Sequence, residues 1–389
     1  MIKDIENLDG WNIVGLPDIV FFQEGPGVRN NQYTDSGVKL INVANLKDGK
    51  VYLENTERYI SEEEAYGRYR HFLVDEGDLI IASSGIKVEY FDKKMGFINK
   101  EHLPLCMNTS TIRFKTLDEN ILDIKYFAYF LKTIYFKKQI ARLITGSAQL
   151  NFGPSHLKKI KVILPPLNIQ KKIVEVLEKS QYVINKRSEQ IEELELLVKS
   201  KFIEMFGNPI TNSKGWNIKL LGEVCEMKAG KNIKSTDIYE KNNGKLYPCY
   251  GGNGLRGYVR DYSHDGNIPL IGRQGALCGN VKYAKGKFYA TEHAVVTNPK
   301  IEMNTYWLYY ILEQLDLNRL STGAAQPGLT VGKLKEVKLP IAPIGMQNDF
   351  ENFAKQVDKL KFEIEQSLKE LEDNFNSLMQ KAFKGELFN

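Results

Sequence analysis

Cysteine is scarce and scattered in this chain. The four residues, Cys106, Cys225, Cys249 and Cys278, form no CxxC pair, which excludes a zinc ribbon or a thioredoxin-type site. Free thiols in a reducing cytoplasm are the expectation. No apolar run approaches the roughly 18 residues that a membrane span needs, and the opening Met1-Ile2-Lys3-Asp4-Ile5-Glu6 has no apolar core, so secretion is not expected. Catalytic signatures are missing too. There is no GxxxxGK followed by Ser or Thr, no GxGxxG linking a strand to a helix, and no Asn-Pro-Pro-aromatic string of the kind an adenine methyltransferase needs. The histidines His71, His102, His156, His264 and His293 show no metal-ligand spacing. The adjacent Glu292 and His293 read as a structural pair. Ser83-Ser84-Gly85 lacks the flanks of a nucleophile elbow. The net charge of +5, from 53 basic and 48 acidic side chains, is too small by itself to assign a polyanionic partner.

What the chain does have is a plan used twice. Its 389 residues suit two or three domains, and two stretches match without gaps. Residues 143–170 read LITGSAQLNFGPSHLKKIKVILPPLNIQ, and residues 320–347 read LSTGAAQPGLTVGKLKEVKLPIAPIGMQ. A shift of 177 superposes Gly146 on Gly323, Gln149 on Gln326, Leu157 on Leu334, Pro166 on Pro343 and Gln170 on Gln347. Trp11-Asn12-Ile13 recurs as Trp216-Asn217-Ile218 at a shift of 205, so the first copy is longer. Each copy opens with short apolar runs, such as Val38–Ile41 and Leu79–Ala82, broken by turn residues, which predicts irregular β structure. A helix over 123–143 is expected in copy one, with Phe127, Phe130, Leu131, Ile134 and Leu143 on one side. In copy two it runs over 304–320, where the same shift of 177 pairs Trp307, Leu308 and Ile311 with Phe130, Leu131 and Ile134.

Each copy ends in a long helix. From Asn168 to Phe206 there is neither Pro nor Gly, and Leu177, Ile184, Ile191, Val198 and Met205 recur every seven residues beside Ile169, Val176, Val183 and Leu197. From about Met346 to Lys384, Phe350, Val357, Ile364, Leu371 and Leu378 do the same, beside Phe353, Leu360, Leu368 and Phe375. A sustained heptad predicts coiled-coil packing. A helix of about 39 residues spans roughly 58 Å, longer than a small domain is wide. Packing the two helices on each other in antiparallel sense would relate the copies by an approximate two-fold axis. The helices together carry 13 basic and 15 acidic side chains, which leaves +7 for the rest of the chain. Any polyanion is therefore expected on the β-rich domains.

Several loops pair backbone freedom with side chains that match base edges. Gly25–Tyr33 offers Arg29, Asn30, Asn31 and Gln32. Ser83, Ser84 and Lys87 follow an apolar strand. In copy two, Lys231, Asn232 and Lys234 lie after Gly230, and Asn253 and Arg256 lie in a Gly-rich stretch. Arg273 and Gln274 sit between glycines after Pro269-Leu270-Ile271. Arg matches guanine O6 and N7, and Asn or Gln matches adenine N6 and N7 in the major groove. The alternative for each loop is an ordinary surface turn.

The repeated TGxAQ, Leu-Lys-Lys-Ile and Leu-Pro-Pro-Leu strings, each copy leading into a long helix, resemble the specificity subunits of type I restriction-modification systems over essentially the whole chain. Tyr250-Gly251-Gly252-Asn253-Gly254 and Gln326-Pro327-Gly328-Leu329 also look like strings of that family's target recognition domains. The resemblance implies an α+β fold. Target recognition domain 1 would occupy 1–166, a central helix 167–208, target recognition domain 2 209–343 and a second helix 344–389, with the helices as an antiparallel coiled coil of pseudo-two-fold symmetry. It implies a cytoplasmic, non-catalytic protein that holds no cofactor and reads a bipartite site on double-stranded DNA. Two modification subunits would bring S-adenosylmethionine, and restriction subunits with ATP and Mg would cleave. A helical ruler of roughly 58 Å spans at most about 17 base pairs at about 3.4 Å each. Two other readings stay open on the residues alone: a coiled-coil scaffold with two protein-binding domains, and a self-sufficient methyltransferase or nuclease with an unfamiliar site.

Overall fold

The computed structural model describes residues 10–54, 57–144, 150–242, 244–275, 277–322 and 328–388. Gly146, Gln149, Gly323 and Gln326 of the repeated TGxAQ strings lie outside the described residues. The chain divides into two units. Unit 1 takes Met1–Lys186 with Leu368–Asn389, and unit 2 takes Arg187–Ser367.

In unit 1, short apolar runs become short buried strands. A four-stranded antiparallel sheet has the spatial order Val20–Glu24, Thr111–Thr116, Leu79–Ala82, Met95–Phe97. Leu79–Ala82 is buried along its whole length, as a central strand with no polar face must be. A second sheet pairs Val38–Ile41 in parallel with Leu105–Met107. Asn12–Gly15 and Lys161–Leu164 form an antiparallel ribbon that delivers the chain to its long helix.

Unit 2 repeats this plan. Its four-stranded sheet runs Cys225–Ala229, Ala294–Pro299, Ile268–Gly272, Val281–Ala284. Tyr247–Gly251 pairs in parallel with Lys287–Ala290, and Asn217–Leu220 with Lys338–Ile341 forms the closing ribbon.

Five helices matter here: α1 (Ile124–Lys132), α2 (Ile134–Leu143), α3 (Leu167–Phe206), α4 (Thr305–Gln314) and α5 (Ile344–Phe383). Two expectations are corrected. The single helix over 123–143 is broken at Thr133, whose extended backbone and side-chain oxygen cap α2 by accepting the Phe136 N–H at 3.2 Å. Ile134 consequently opens α2 and is 53% exposed instead of joining the buried side. The pairing of copies across this region also changes. The N-caps Asp123 and Asn304 set a shift of 181, so Tyr126 and Phe127 correspond to Trp307 and Leu308. An ungapped comparison cannot see four extra residues absorbed between the cap and the long helix.

The repeated glutamines are brackets. Gln170 accepts the Asp123 N–H at 2.9 Å and donates to the Pro165 carbonyl at 2.8 Å. Gln347 accepts the Asn304 N–H at 2.8 Å and donates to the Ala342 carbonyl at 2.7 Å. Both are buried. Each ties a short helix to the root of a long one.

The long helices are 40 residues each, as their unbroken heptads predict. In unit 1, Ile173, Val174 and Leu177 of α3 share a core with Ala382 and Phe383 of α5. In unit 2, Val198, Phe202 and Phe206 of α3 share a core with Phe350, Ala354 and Val357 of α5. The start of each helix thus meets the end of the other, and the pair is antiparallel. Glu195 and Lys361 add an ion pair in unit 2. The seven-residue series is buried or half-buried throughout, whereas Val183, Leu197 and Leu360 of the flanking stripes stay exposed.

Candidate nucleic-acid interface

The cleft of interest lies in unit 2, where three segments converge at strand ends. The hairpin between Tyr247–Gly251 and Gly254–Val259 supplies Gly251 through Arg256. The exit of Ile268–Gly272 supplies Gln274 and Gly275, and the entry to Ala294–Pro299 supplies His293. They enclose about 440 Å³. Glycine is required at its floor. A Cβ on Gly272 would collide with the Gly252 carbonyl, and one on Gly252 would press on the His293 carbonyl at 3.2 Å.

Backbone hydrogen bonds lock the segments together. Arg273 N–H donates to the His293 carbonyl at 3.0 Å, and Leu329 N–H donates to the Arg273 carbonyl at 2.9 Å. The equivalent bonds in unit 1 run from Ser83 N–H to the Ser110 carbonyl at 2.9 Å and from Phe152 N–H to the Ser83 carbonyl at 3.0 Å. Ser83 and Ser84 therefore occupy the places of Arg273 and Gln274, and Ser110 that of His293. Gly25 and Gly230 match as well, since each donates its N–H to the first residue of the neighbouring strand, Thr111 or Ala294.

The predicted residues fall into three groups. Asn253, Arg256 and Gln274 line the one cleft. Arg256 also donates to Ser235 Oγ at 3.2 Å, which draws in the 3-10 turn Ser235–Asp237 that Lys234 precedes. Arg273 does not line the cleft; it is half-buried, with its Nε screened from solvent. Lys231 and Asn232 are exposed on the adjoining loop, where the Asn232 carbonyl accepts Tyr289 Oη–H at 3.3 Å. In unit 1, Arg29, Asn30 and Asn31 are exposed, and Lys87 is exposed ahead of the turn Val88–Lys93. Ser83 is buried and Ser84 half-buried. Gln32 engages its amide internally, donating to Glu64 and Tyr69 at 3.0 Å each and accepting the Arg29 N–H at 3.1 Å.

Sequence reasoning gave no reading role to the third segment, Asn108–Ser110 in unit 1 and Thr291–His293 in unit 2, where Glu292-His293 reads as a structural pair. The one available signal was Glu292 beside His293. In the fold, Glu292 Oε1 and His293 Nε2 are 3.1 Å apart. All four cysteines are free and buried, and burial pushes the Cys106 and Cys225 thiols up to about 12, so neither is a nucleophile. Among the described residues no group of three His, Cys, Asp or Glu side chains could hold a metal ion, and no helix is long and apolar enough to cross a membrane.

Two domains of one plan, each rooted on a member of an antiparallel helix pair, define the architecture of a specificity subunit. The same fold occurs in the S subunit of a type I restriction-modification system from M. genitalium, with a TM-score of 0.57, 19% identity and 97% of each chain covered. A chain from a structure of type I R-M complex assembly and conformational transition gives a TM-score of 0.59 at 18% identity, covering 98% of this chain and 99% of that one. The chain belongs to the type I restriction modification DNA specificity domain family, whose pattern matches residues 9–196 and 213–373. The EcoprrI specificity subunit of Escherichia coli is 52% identical over 130 residues, which is 33% of this chain and 32% of that protein. The MjaVIII specificity subunit of Methanocaldococcus jannaschii is 26% identical over 191 residues, 48% of this chain and 43% of that protein. The matched stretches thus span about a third to under half of these relatives.

Proposed function

We propose that this chain is the DNA-reading, non-catalytic subunit of a cytoplasmic type I restriction-modification complex. Target recognition domain 1, over 1–166, reads one half of a split site, and target recognition domain 2, over 209–343, reads the other. The observation that carries this reading is the construction of one strand-end arrangement twice, with different side chains: Ser83, Ser84 and Ser110 in one domain, Arg273, Gln274 and His293 in the other. A common backbone with unlike polar groups is what two half-sites of different sequence require. Exposed lysines and arginines of the two domains supply phosphate contacts and salt-dependent affinity, while the residues at these strand ends supply choice of base.

The helices α3 and α5 act as the ruler between half-sites and as the seat of two modification subunits. Support for docking comes from apolar side chains the helix pair leaves uncovered, among them Leu196 at 64% and Phe362 at 61% exposure. The modification subunits bring S-adenosylmethionine and flip an adenine out of each half-site for N6 methylation. Restriction subunits, using ATP and Mg, join for cleavage. Sequencing the methylated genome of cells that express this chain with its modification subunit tests the reading. A gapped two-part motif is expected, and a continuous motif would overturn it.

A further inference from the structure

Four buried polar atoms near the unit 2 cleft have no hydrogen-bond partner among the described residues: Arg273 Nε, Thr291 Oγ1, Glu292 Oε2 and His293 Nδ1. Buried polar groups are ordinarily paired, and a group of orphans in one place marks either strain or a missing ligand. These four belong to two adjacent segments, joined by the Arg273–His293 backbone bond at 3.0 Å. His293 itself lines the cavity together with Asn253, Arg256 and Gln274. We propose that His293 is a base-reading residue of the second half-site and that Glu292 is its positioning residue. The proposal rests on the DNA-reading function above and adds a contact to it.

The chemistry follows from the pair. Glu292 Oε1 faces His293 Nε2 at 3.1 Å, so the carboxylate stands against one edge of the ring, and a proton carried on that edge leaves Nδ1 as an acceptor. Glu292 does not line the cleft itself, but a carboxylate beside a DNA-binding cleft repels phosphate. Its presence is consistent with a base edge, not a backbone, as the occupant. In the major groove the base donors are the exocyclic amino groups, adenine N6 and cytosine N4. Nδ1 is shielded as the ring stands, so a turn of the half-buried ring into the cleft brings that acceptor to either amino group, beside Gln274. The counterpart position in unit 1, Ser110, holds φ +65°, a left-handed backbone unusual for serine. Ser110 and His293 thus share a hydrogen-bonded position but not a backbone conformation, and they carry side chains of different donor and acceptor character.

The test uses the complete complex. His293→Ala, His293→Gln and Glu292→Gln are each co-expressed with the modification subunit, and the methylated motif is read from the genome. His293→Ala is expected to relax one position of the second half-site on the order of tenfold and to leave the first half unchanged. Glu292→Gln should relax that same position more weakly, and His293→Gln, which keeps an acceptor, should retain some preference there. Methylation that falls uniformly with an unchanged motif in all three variants would mean a structural role and would overturn the proposal. An unchanged motif in all three, with exchange of residues 209–343 still altering it, would remove His293 alone. If that exchange alters nothing, the base-reading function of the domain fails as well.

Discussion

Phe383 of α5 stacks on Tyr126 of α1, with ring centroids 5.1 Å apart and planes inclined by 29°. Phe206 of α3 meets Trp307 of α4 edge-on at 6.0 Å. The repeat shift of 177 relates Phe206 to Phe383, and the cap shift of 181 relates Tyr126 to Trp307. Each long helix thus ends by inserting an aromatic ring into a core that begins in the other copy of the plan. Phe383 and Phe206 are both buried. Phe383→Ala should cost about 3–5 kcal/mol and loosen unit 1, and Phe206→Ala should do the same to unit 2. Hydrogen exchange that locates the loss in each unit checks this.

Gln347 leaves two buried backbone groups without partners if truncated, the Asn304 N–H and the Ala342 carbonyl. Gln347→Ala should therefore destabilise unit 2 by about 1–3 kcal/mol, and Gln170→Ala should destabilise unit 1 comparably. A domain of this size loses about 2–4 °C of Tm per kcal/mol, which calorimetry resolves.

Deleting one heptad from α3 removes about 10 Å of helix, or about three base pairs of length. The unread spacer should shorten by up to that amount while both half-sites persist. Altered half-sites in the methylated genome would count against the ruler.

Base choice should follow the cleft. Exchanging residues 209–343 for a relative's domain should change one half of the motif only. Gln274→Ala should lower discrimination at one position by about 1–3 kcal/mol. Arg273→Ala should also weaken discrimination, but less than Gln274→Ala, because Arg273 does not line the cleft. Binding to a panel of single-base variants separates the two.

Docking on the helices should depend on their uncovered apolar side chains. Leu196→Glu combined with Phe362→Glu should leave unfolding within about 0.5 kcal/mol of the parent, as exposed substitutions do. The same change should reduce co-purification of the modification subunit. Undiminished capture would move the docking surface elsewhere.

Much of this was legible in the residues themselves. A heptad without Pro or Gly is a local, periodic signal, so α3 and α5 were predicted to within two residues at their starts and one at their ends. The ungapped repeat exposed the two-copy plan, and the exclusion of familiar catalytic motifs needed no fold. The loops Arg29–Gln32, Ser83-Ser84 and Arg273-Gln274 stood out because Gly, Asn and Ser favour turns. What they could not reveal was which side chains face a shared cleft. Gln32 looks like a base reader by type, yet its amide is engaged by Glu64 and Tyr69, residues 32 and 37 positions away.

Sequence alone determined the twofold use of one plan and the long helices, since each follows from repetition or periodicity along the chain. Tertiary structure decided the rest. Thr133 breaks a helix that pattern alone would continue, because its hydroxyl caps the second segment. His293 joins Gln274 and Asn253 only because strands far apart in the chain end at the same edge. That convergence depends on hydrogen bonds between distant backbones, which leave no spacing for a linear reading to find.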